Sequence, residues 1–335
     1  MPQHDLPAHR LPSTSSSHSL AESLGPALRA SCSGQLGPIE WFRVSWQHGG
    51  AATGFSVWTT TSGRKIKVLV KLPIGPVELR WTRALGLVQE TVFESDGPCT
   101  HPTPRVLACG SELGGYDIAW IVTERLAPTT LSHELNESAI QDMLAALDGF
   151  HQAAFRHAPV EGQPTRENWE LLLDKSRQAA RTGDVPQSQR WNEAVKRVQK
   201  ILSPMVTRWE HRPLNTWCHG DFHGGNALRR YGHSGGCVLI DLALVHPGHW
   251  LEDALYLERQ FWARPELLHG IKPVTVLGRM HRERGMDDPG YVDLANVRRV
   301  LMGSSELSFV SAEGHPKYLH ACLEMVERLL PQLPH

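Results

Sequence analysis

Residues 218 to 226 read Cys-His-Gly-Asp-Phe-His-Gly-Gly-Asn, and the apolar run Val238-Leu239-Ile240 delivers a second acid, Asp241, shortly behind them. One carboxylate, Asp221, stands five positions before an amide, Asn226. That set of groups suits phosphoryl transfer. A carboxylate can accept the proton of an attacking hydroxyl, while an amide oxygen and a second carboxylate hold magnesium against nucleotide phosphates. Asp221 is therefore the candidate catalytic base, a role that contributes about 10²–10⁴-fold to a rate. Asn226 and Asp241 are the candidate metal ligands, since magnesium takes hard oxygen donors. Asp241 follows strand-like apolar positions and is expected to be buried, where a carboxylate without a partner is costly and a metal would supply one. A Gly-Asp pair alone reads as a tight turn. The company of His219, His223, Asn226 and Asp241 at these offsets reverses that reading.

The elements that must position these residues can be read from periodicity. From Ile39 to Lys71 the chain carries three β-rich runs, 39–44, 55–58 and 66–71, which predict an antiparallel meander. Glycines 49, 50 and 54 lie in the first connection and Ser62-Gly63 makes the second. Pro76 to Leu87 has helical spacing with proline at its start. Two more strands are expected at 104–108 and 118–122, closing a first region near Leu126. Beyond it the pattern is helical: 140–155, a short helix at 169–173 inside a polar loop, 191–209, 255–262, 292–301 and 318–330.

The run His219-Gly220-Asp221-Phe222-His223 with Asn226, then Ile240-Asp241, Gly248 and Asp253-Ala254, resembles the signature of the aminoglycoside phosphotransferase-like kinases. These form a small-molecule branch of the protein-kinase-like fold. The leucine usual between the last two residues is absent here. The resemblance spans roughly Ile39 to Arg259 and is most specific from Trp217 to Asp253. It implies an α+β fold of two lobes with the site between them. The small antiparallel-sheet, nucleotide-binding lobe would be 36–126, and the larger helical lobe with catalytic loop and substrate site 127–335. It implies ATP as phosphate donor, with GTP not distinguished, magnesium as cofactor, and a small-molecule hydroxyl as acceptor.

The resemblance also assigns roles. His219 would orient the loop rather than transfer protons, and His223 would touch the transferring phosphate or brace the loop. Asp253 is either the loop's anchor or an exposed helix acid. Lys71, at the end of the third strand, would grip nucleotide phosphates. Its ion-pair partner would be Glu78, with Glu90 as the rival because the link from strand to Glu78 is short. The loop around Gly49 and Gly50 would cover phosphates with backbone amides. Glu124 to Leu126 would present backbone groups to the nucleotide base.

Composition narrows the partners. Net charge is −1 and no basic run stands out, so nucleic acid and anionic membrane are not expected. Six scattered cysteines form no Cys-x-x-Cys pair and suit a reducing cytoplasm. The first 35 residues, Ser-rich from 13 to 19 and without an apolar core, read as a flexible leader. In the C-terminal part, Glu252, Glu258, Glu266, Asp287 and Asp288 are interspersed with Arg259, Arg264, Lys272, Arg279, Arg282 and Arg284. A polycationic acceptor would favour an acidic cleft, so a neutral or mildly charged hydroxyl metabolite is expected. Two rivals stand beside this reading. Gly220-Asp221-Phe222-His223-Gly224 also matches an element of binuclear metallophosphoesterases, but the earlier Asp-x-His and later Gly-Asn-His that they need are missing. A non-catalytic kinase-like binding protein is the other, although such proteins commonly lose a residue of the Asp221, Asn226, Asp241 set.

Overall fold

A computed structural model describes residues 15–42, 50–93, 101–182, 185–231, 236–286, 288–309 and 315–333. The chain divides into two compact units, Met1–Leu126 and Ala127–His335. The meander forms in the first unit as β1 (Glu40–Phe42), β2 (Ala52–Thr59) and β3 (Lys65–Leu72). β2 and β3 pair antiparallel from Ala52↔Leu72 to Thr59↔Lys65. The side-chain period of two turns Val68, Val70 and Leu72 into the core with Trp58 and Val122. α2 (Pro76–Gly86) follows, with Pro76 in its first turn, where the missing N–H has no partner to lose.

β4 (Val106–Gly110) and β5 (Trp120–Glu124) complete a sheet ordered β1-β2-β3-β5-β4. Both begin two residues later than periodicity predicts. Pro104 has no N–H for a ladder, and Ile118 is held in the turn that Leu113 and Tyr116 close, donating its N–H to Tyr116 O at 2.8 Å.

The expected flexible leader needs correction from Ser15 onward, while residues 1–14 lie outside the described residues. Ser15–Ser31 is a helix, α1. Ala21, Leu24 and Leu28, spaced three and four apart, are buried in the sheet's core with Leu36 and Leu113. The serine-rich start and Pro26 mask a helix that apolar burial stabilises.

The second unit is mainly helical. α3 (Glu137–His157) is capped by the Asn136 side chain, which accepts from Ala139 N at 2.9 Å. The short helix expected in the polar loop is α4 (Trp169–Thr182). Its buried face runs Trp169, Leu173, Ser176, Ala180, and the small last two residues hide it from an apolar count. The single helix expected at 191–209 is two, α5 (Ser188–Lys200) and α6 (Leu202–Glu210). Pro204 cannot donate back to Lys200, so the first helix ends there. α7 (Leu251–Arg259) starts four residues earlier than expected, and α8 (Pro273–Glu283) was not anticipated. α9 (Tyr291–Ser305) and α10 (Pro316–Leu329) follow.

Two short antiparallel pairs carry the signature segment: β6 (Thr216–Cys218) with β9 (His246–Gly248), and β7 (Ala227–Arg229) with β8 (Cys237–Leu239). Beneath them lies a group of buried histidines. His281 packs between the rings of His151 and Trp250, at 5.8 and 5.2 Å. Burial first, then the neighbouring His151 and His249, push its pKa down to about 3. No helix among the described residues is long and apolar enough to cross a membrane.

Candidate active site

The loop from His219 to Asn226 leaves β6 through Gly220, whose φ is +82°. A Cβ on Gly220 would lie 2.2 Å from Leu244 O, so only glycine fits. The turn's backbone is held from behind by Asp253 of α7. This buried carboxylate accepts from His219 N at 2.8 Å and Gly220 N at 2.9 Å, and pairs with His151 Nε2 at 2.9 Å. Burial opposes its ionisation, but the His151 contact and the backbone donors win and its pKa is lowered. Of the two readings of Asp253, the anchor is the one present.

His219 is fully buried, edge-on to Phe150 at 5.7 Å. Nδ1 accepts from Asp221 N at 3.3 Å, so Nε2 carries the proton and donates to Ile240 O at 3.0 Å. Burial lowers its pKa, against the pull of Asp253, Asp221 and Asp241. With both nitrogens engaged, the neutral ring ties the loop to the strand end before Asp241. His223 is half-buried. Its Nδ1 accepts from Gly225 N at 3.0 Å while Nε2 lies 3.5 Å from Asp221 Oδ2, an arrangement that braces the loop.

Asp221 is held at both oxygens. Asn226 Nδ2 donates to Oδ2 at 2.8 Å and to the backbone oxygen of Asp221 at 3.0 Å, and Tyr256 OH donates to Oδ1 at 2.7 Å. The His223 contact first, then Tyr256 and Asn226, bring its pKa down to about 2 against burial. Turning Nδ2 of Asn226 toward Asp221 leaves Oδ1 as its outward donor atom. Ile240 N donates to Asn226 O at 3.0 Å, which brings Asn226 and Asp241 to the same end of the β7–β8 hairpin. Here one expectation fails. Asp241 is exposed, at φ 63° just past β8, because the chain turns after Ile240. The burial argument for a metal partner therefore does not hold. What remains is an oxygen donor in a left-handed backbone conformation that L-residues seldom adopt.

In the first unit, Lys71 Nζ meets Glu78 Oε1 at 2.6 Å, and both side chains are largely buried. The short link is enough because α2 begins directly after the turn. Glu90 is engaged elsewhere, accepting from Gln35, Trp58 and Thr61. Glu124 is tied to Arg105 through its N–H and its carboxylate. Its N–H donates to Arg105 O at 2.8 Å, and its carboxylate takes Arg105 N, Nε and Nη2 at 2.8, 3.0 and 2.8 Å. That N–H is spent within the sheet, so it is not the group that meets a base edge. Leu126 ends the unit, half-buried. Gly50 is exposed ahead of β2, whereas Gly49 lies outside the described residues.

Residues 77–272, more than half of the chain, match the phosphotransferase enzyme family. The chain belongs to that family.

Solved structures agree on the fold of this phosphotransferase. One is an aminoglycoside phosphotransferase from Alicyclobacillus acidocaldarius, 15% identical at TM-score 0.53, with 91% of this chain and 92% of that one covered. Another is a spectinomycin phosphotransferase in complex with ADP and spectinomycin, 12% identical at TM-score 0.50, covering 92% and 98%. No curated protein matches in sequence at a significant level. The protein-kinase-like α+β class read from the sequence stands, and the metallophosphoesterase rival falls with the family match.

Two features of the phosphotransferase escape a reading of the motif alone. Tyr256 lies three residues after Asp253, on the same face of α7, and that helical spacing was the available signal. Glu252, one residue before Asp253, sits in an ion-pair network with Arg212 Nε at 2.9 Å and His246 Nε2 at 3.3 Å, which no local pattern announces.

Proposed function

We propose that the chain transfers the γ-phosphate of ATP to a hydroxyl of a small molecule. The observation that carries this is the Asp221 carboxylate, fixed by Asn226 and Tyr256 on a loop whose backbone Asp253 holds from beneath. Asp221 lines up the acceptor hydroxyl and takes its proton as the new O–P bond forms and the bond from the γ-phosphorus to the bridging oxygen breaks, releasing ADP. A carboxyl with a pKa of about 2 is a weak base at neutral pH, so orientation is its larger contribution. His219 and His223 keep the loop in shape and carry no proton in this scheme. Lys71, restrained by Glu78, grips the nucleotide phosphates.

The amide oxygen of Asn226 and the carboxylate of Asp241 form a hard, oxygen-only pair that fits magnesium and would hold it. When bound, the ion would neutralise charge on the nucleotide phosphates. The mixture of acidic and basic residues from Glu252 onward supports a neutral or mildly charged acceptor rather than a polycation.

Calorimetric titration of ATP with and without magnesium, on the native chain and on Asp241→Ala, tests the nucleotide site. Binding that requires magnesium and is lost in the variant is expected. Nucleotide consumption across a panel of sugars, amino alcohols and aminoglycosides then tests the acceptor, with Asp221→Asn as the inactive control. Failure to bind ATP or GTP under any metal condition would leave a kinase-like fold without phosphotransferase activity, and a clear preference for aminoglycosides would overturn the acceptor class.

A further inference from the structure

Apart from the loop that positions Asp221, a second set of donors is gathered on three elements of the same unit. Cys218 on β6 and His246 on β9 are direct cross-strand partners, and Glu252 reaches them from the first turn of α7. One atom of each, Cys218 Sγ, a ring nitrogen of His246 and a carboxylate oxygen of Glu252, lie within 4.8 Å of one another. Gly248 lets the Glu252 carboxylate and the Cys218 thiol approach each other, since it has no side chain to stand between them. A Cβ there would stand 2.6 Å from Glu252 Oε1 and 2.8 Å from Cys218 Sγ.

The supporting contacts already tie down the atoms that face away. His246 Nδ1 donates to Leu244 O at 2.9 Å, which turns Nε2 inward. Glu252 Oε1 accepts from Arg212 Nε and from His249 N, each at 2.9 Å, which leaves Oε2 as the inward atom. His246 Nε2 and Glu252 Oε2 are 3.3 Å apart. Two ligands each about 2.0–2.1 Å from a shared ion, at a near-tetrahedral angle, stand about 3.3 Å apart.

We infer that Cys218, His246 and Glu252 form a binding site for a borderline-soft divalent cation of the zinc class. The donor set of thiolate, imidazole and carboxylate suits such an ion and not magnesium. Arg212 is the obvious objection, since its guanidinium lies beside the same carboxylate. It contacts Oε1, however, and so acts as an outer partner to the carboxylate while the ion takes Oε2. Without the ion, the Cys218 thiol donates to His249 O at 3.3 Å and His246 donates from both nitrogens. Binding exchanges the thiol proton and the Nε2 proton for the cation. The site is structural in its placement. Cys218 immediately precedes His219, and Glu252 immediately precedes Asp253, so an ion there would clamp the strand that enters the loop to the helix that anchors it.

The test is a cobalt titration of the untagged, chelator-treated and reduced full chain, read in the visible and near-ultraviolet. Expected is a single equivalent with the bands of tetrahedral cobalt and a thiolate-to-cobalt charge-transfer band, all bleached by zinc and unmoved by magnesium. Cys218→Ser should lose the charge-transfer band, and His246→Gln should weaken cobalt binding at least tenfold. Circular dichroism establishes that each variant is folded, and a rise in the melting temperature with zinc in the native chain alone is the second readout. Absence of a thiolate band in the native chain, or its persistence in folded Cys218→Ser, overturns the assignment.

Discussion

Replacing Asp253 by asparagine changes one heavy atom at a buried point where three hydrogen bonds converge. His219 N at 2.8 Å and His151 Nε2 at 2.9 Å reach Oδ2, and Gly220 N at 2.9 Å reaches Oδ1. An amide offers one oxygen, so whichever way it turns, an NH₂ faces at least one N–H donor at a fully buried point. Breaking a buried, hydrogen-bonded ionic contact in this manner costs about 3–5 kcal/mol. For a unit of this size, 1 kcal/mol moves the midpoint by roughly 2–4 °C, so the fall in melting temperature should be about 6–20 °C. Thermal denaturation followed by circular dichroism measures it directly. Turnover should fall as well, since the same bonds fix the loop that bears Asp221, and it should fall at temperatures where the variant is fully folded. A melting temperature within a degree or two of the native value would refute the idea that Asp253 is the loop's anchor.

Lys71→Ala should weaken ATP binding about 10–150-fold, the loss of a charge-assisted hydrogen bond worth roughly 1.5–3 kcal/mol, and calorimetry on the folded variant would disprove the role by returning an unchanged affinity. Leu28→Ala should cost about 2–5 kcal/mol in denaturant unfolding of the first unit, whereas a merely flexible leader would give no change. His281 makes a pH prediction. Its folded pKa lies below the ordinary histidine value, so the stability tied to its neutral form is complete above about 6.5 and is lost as pH falls toward about 3. At pH 5 the loss should be about 2 kcal/mol, and His281→Gln should flatten the dependence of melting temperature on pH between 6.5 and 5. An unchanged slope would place that acid sensitivity in another group.

What was legible in the sequence follows from how local each cause is. Asp221, Asn226 and the strand before Asp241 could be read because offsets of a few residues fix their geometry. Lys71 and α2 were readable because β-periodicity ends where Pro76 opens a helix. Contacts that close over long separations were not. His151 meets Asp253 across 102 positions, and no window over either residue contains the other. α1 was hidden because serines and Pro26 dilute the signal of Ala21, Leu24 and Leu28, whose burial depends on a sheet formed later in the chain. The exposure of Asp241 was missed because an apolar run says where a strand lies but not the residue at which the backbone turns out of it.

α7 is only nine residues long, yet Glu252, Asp253 and Tyr256 make it answerable for the strand entering the loop, the loop's backbone and the carboxylate at its tip. Any redesign of the helices after α7 has to keep α7 seated. A substitution in α8 or α9 that tilts it would be recorded as a change in specificity when the underlying event is a misaligned Asp221. Comparing the lost activity for several acceptors separates the two, since misalignment lowers all of them by the same factor.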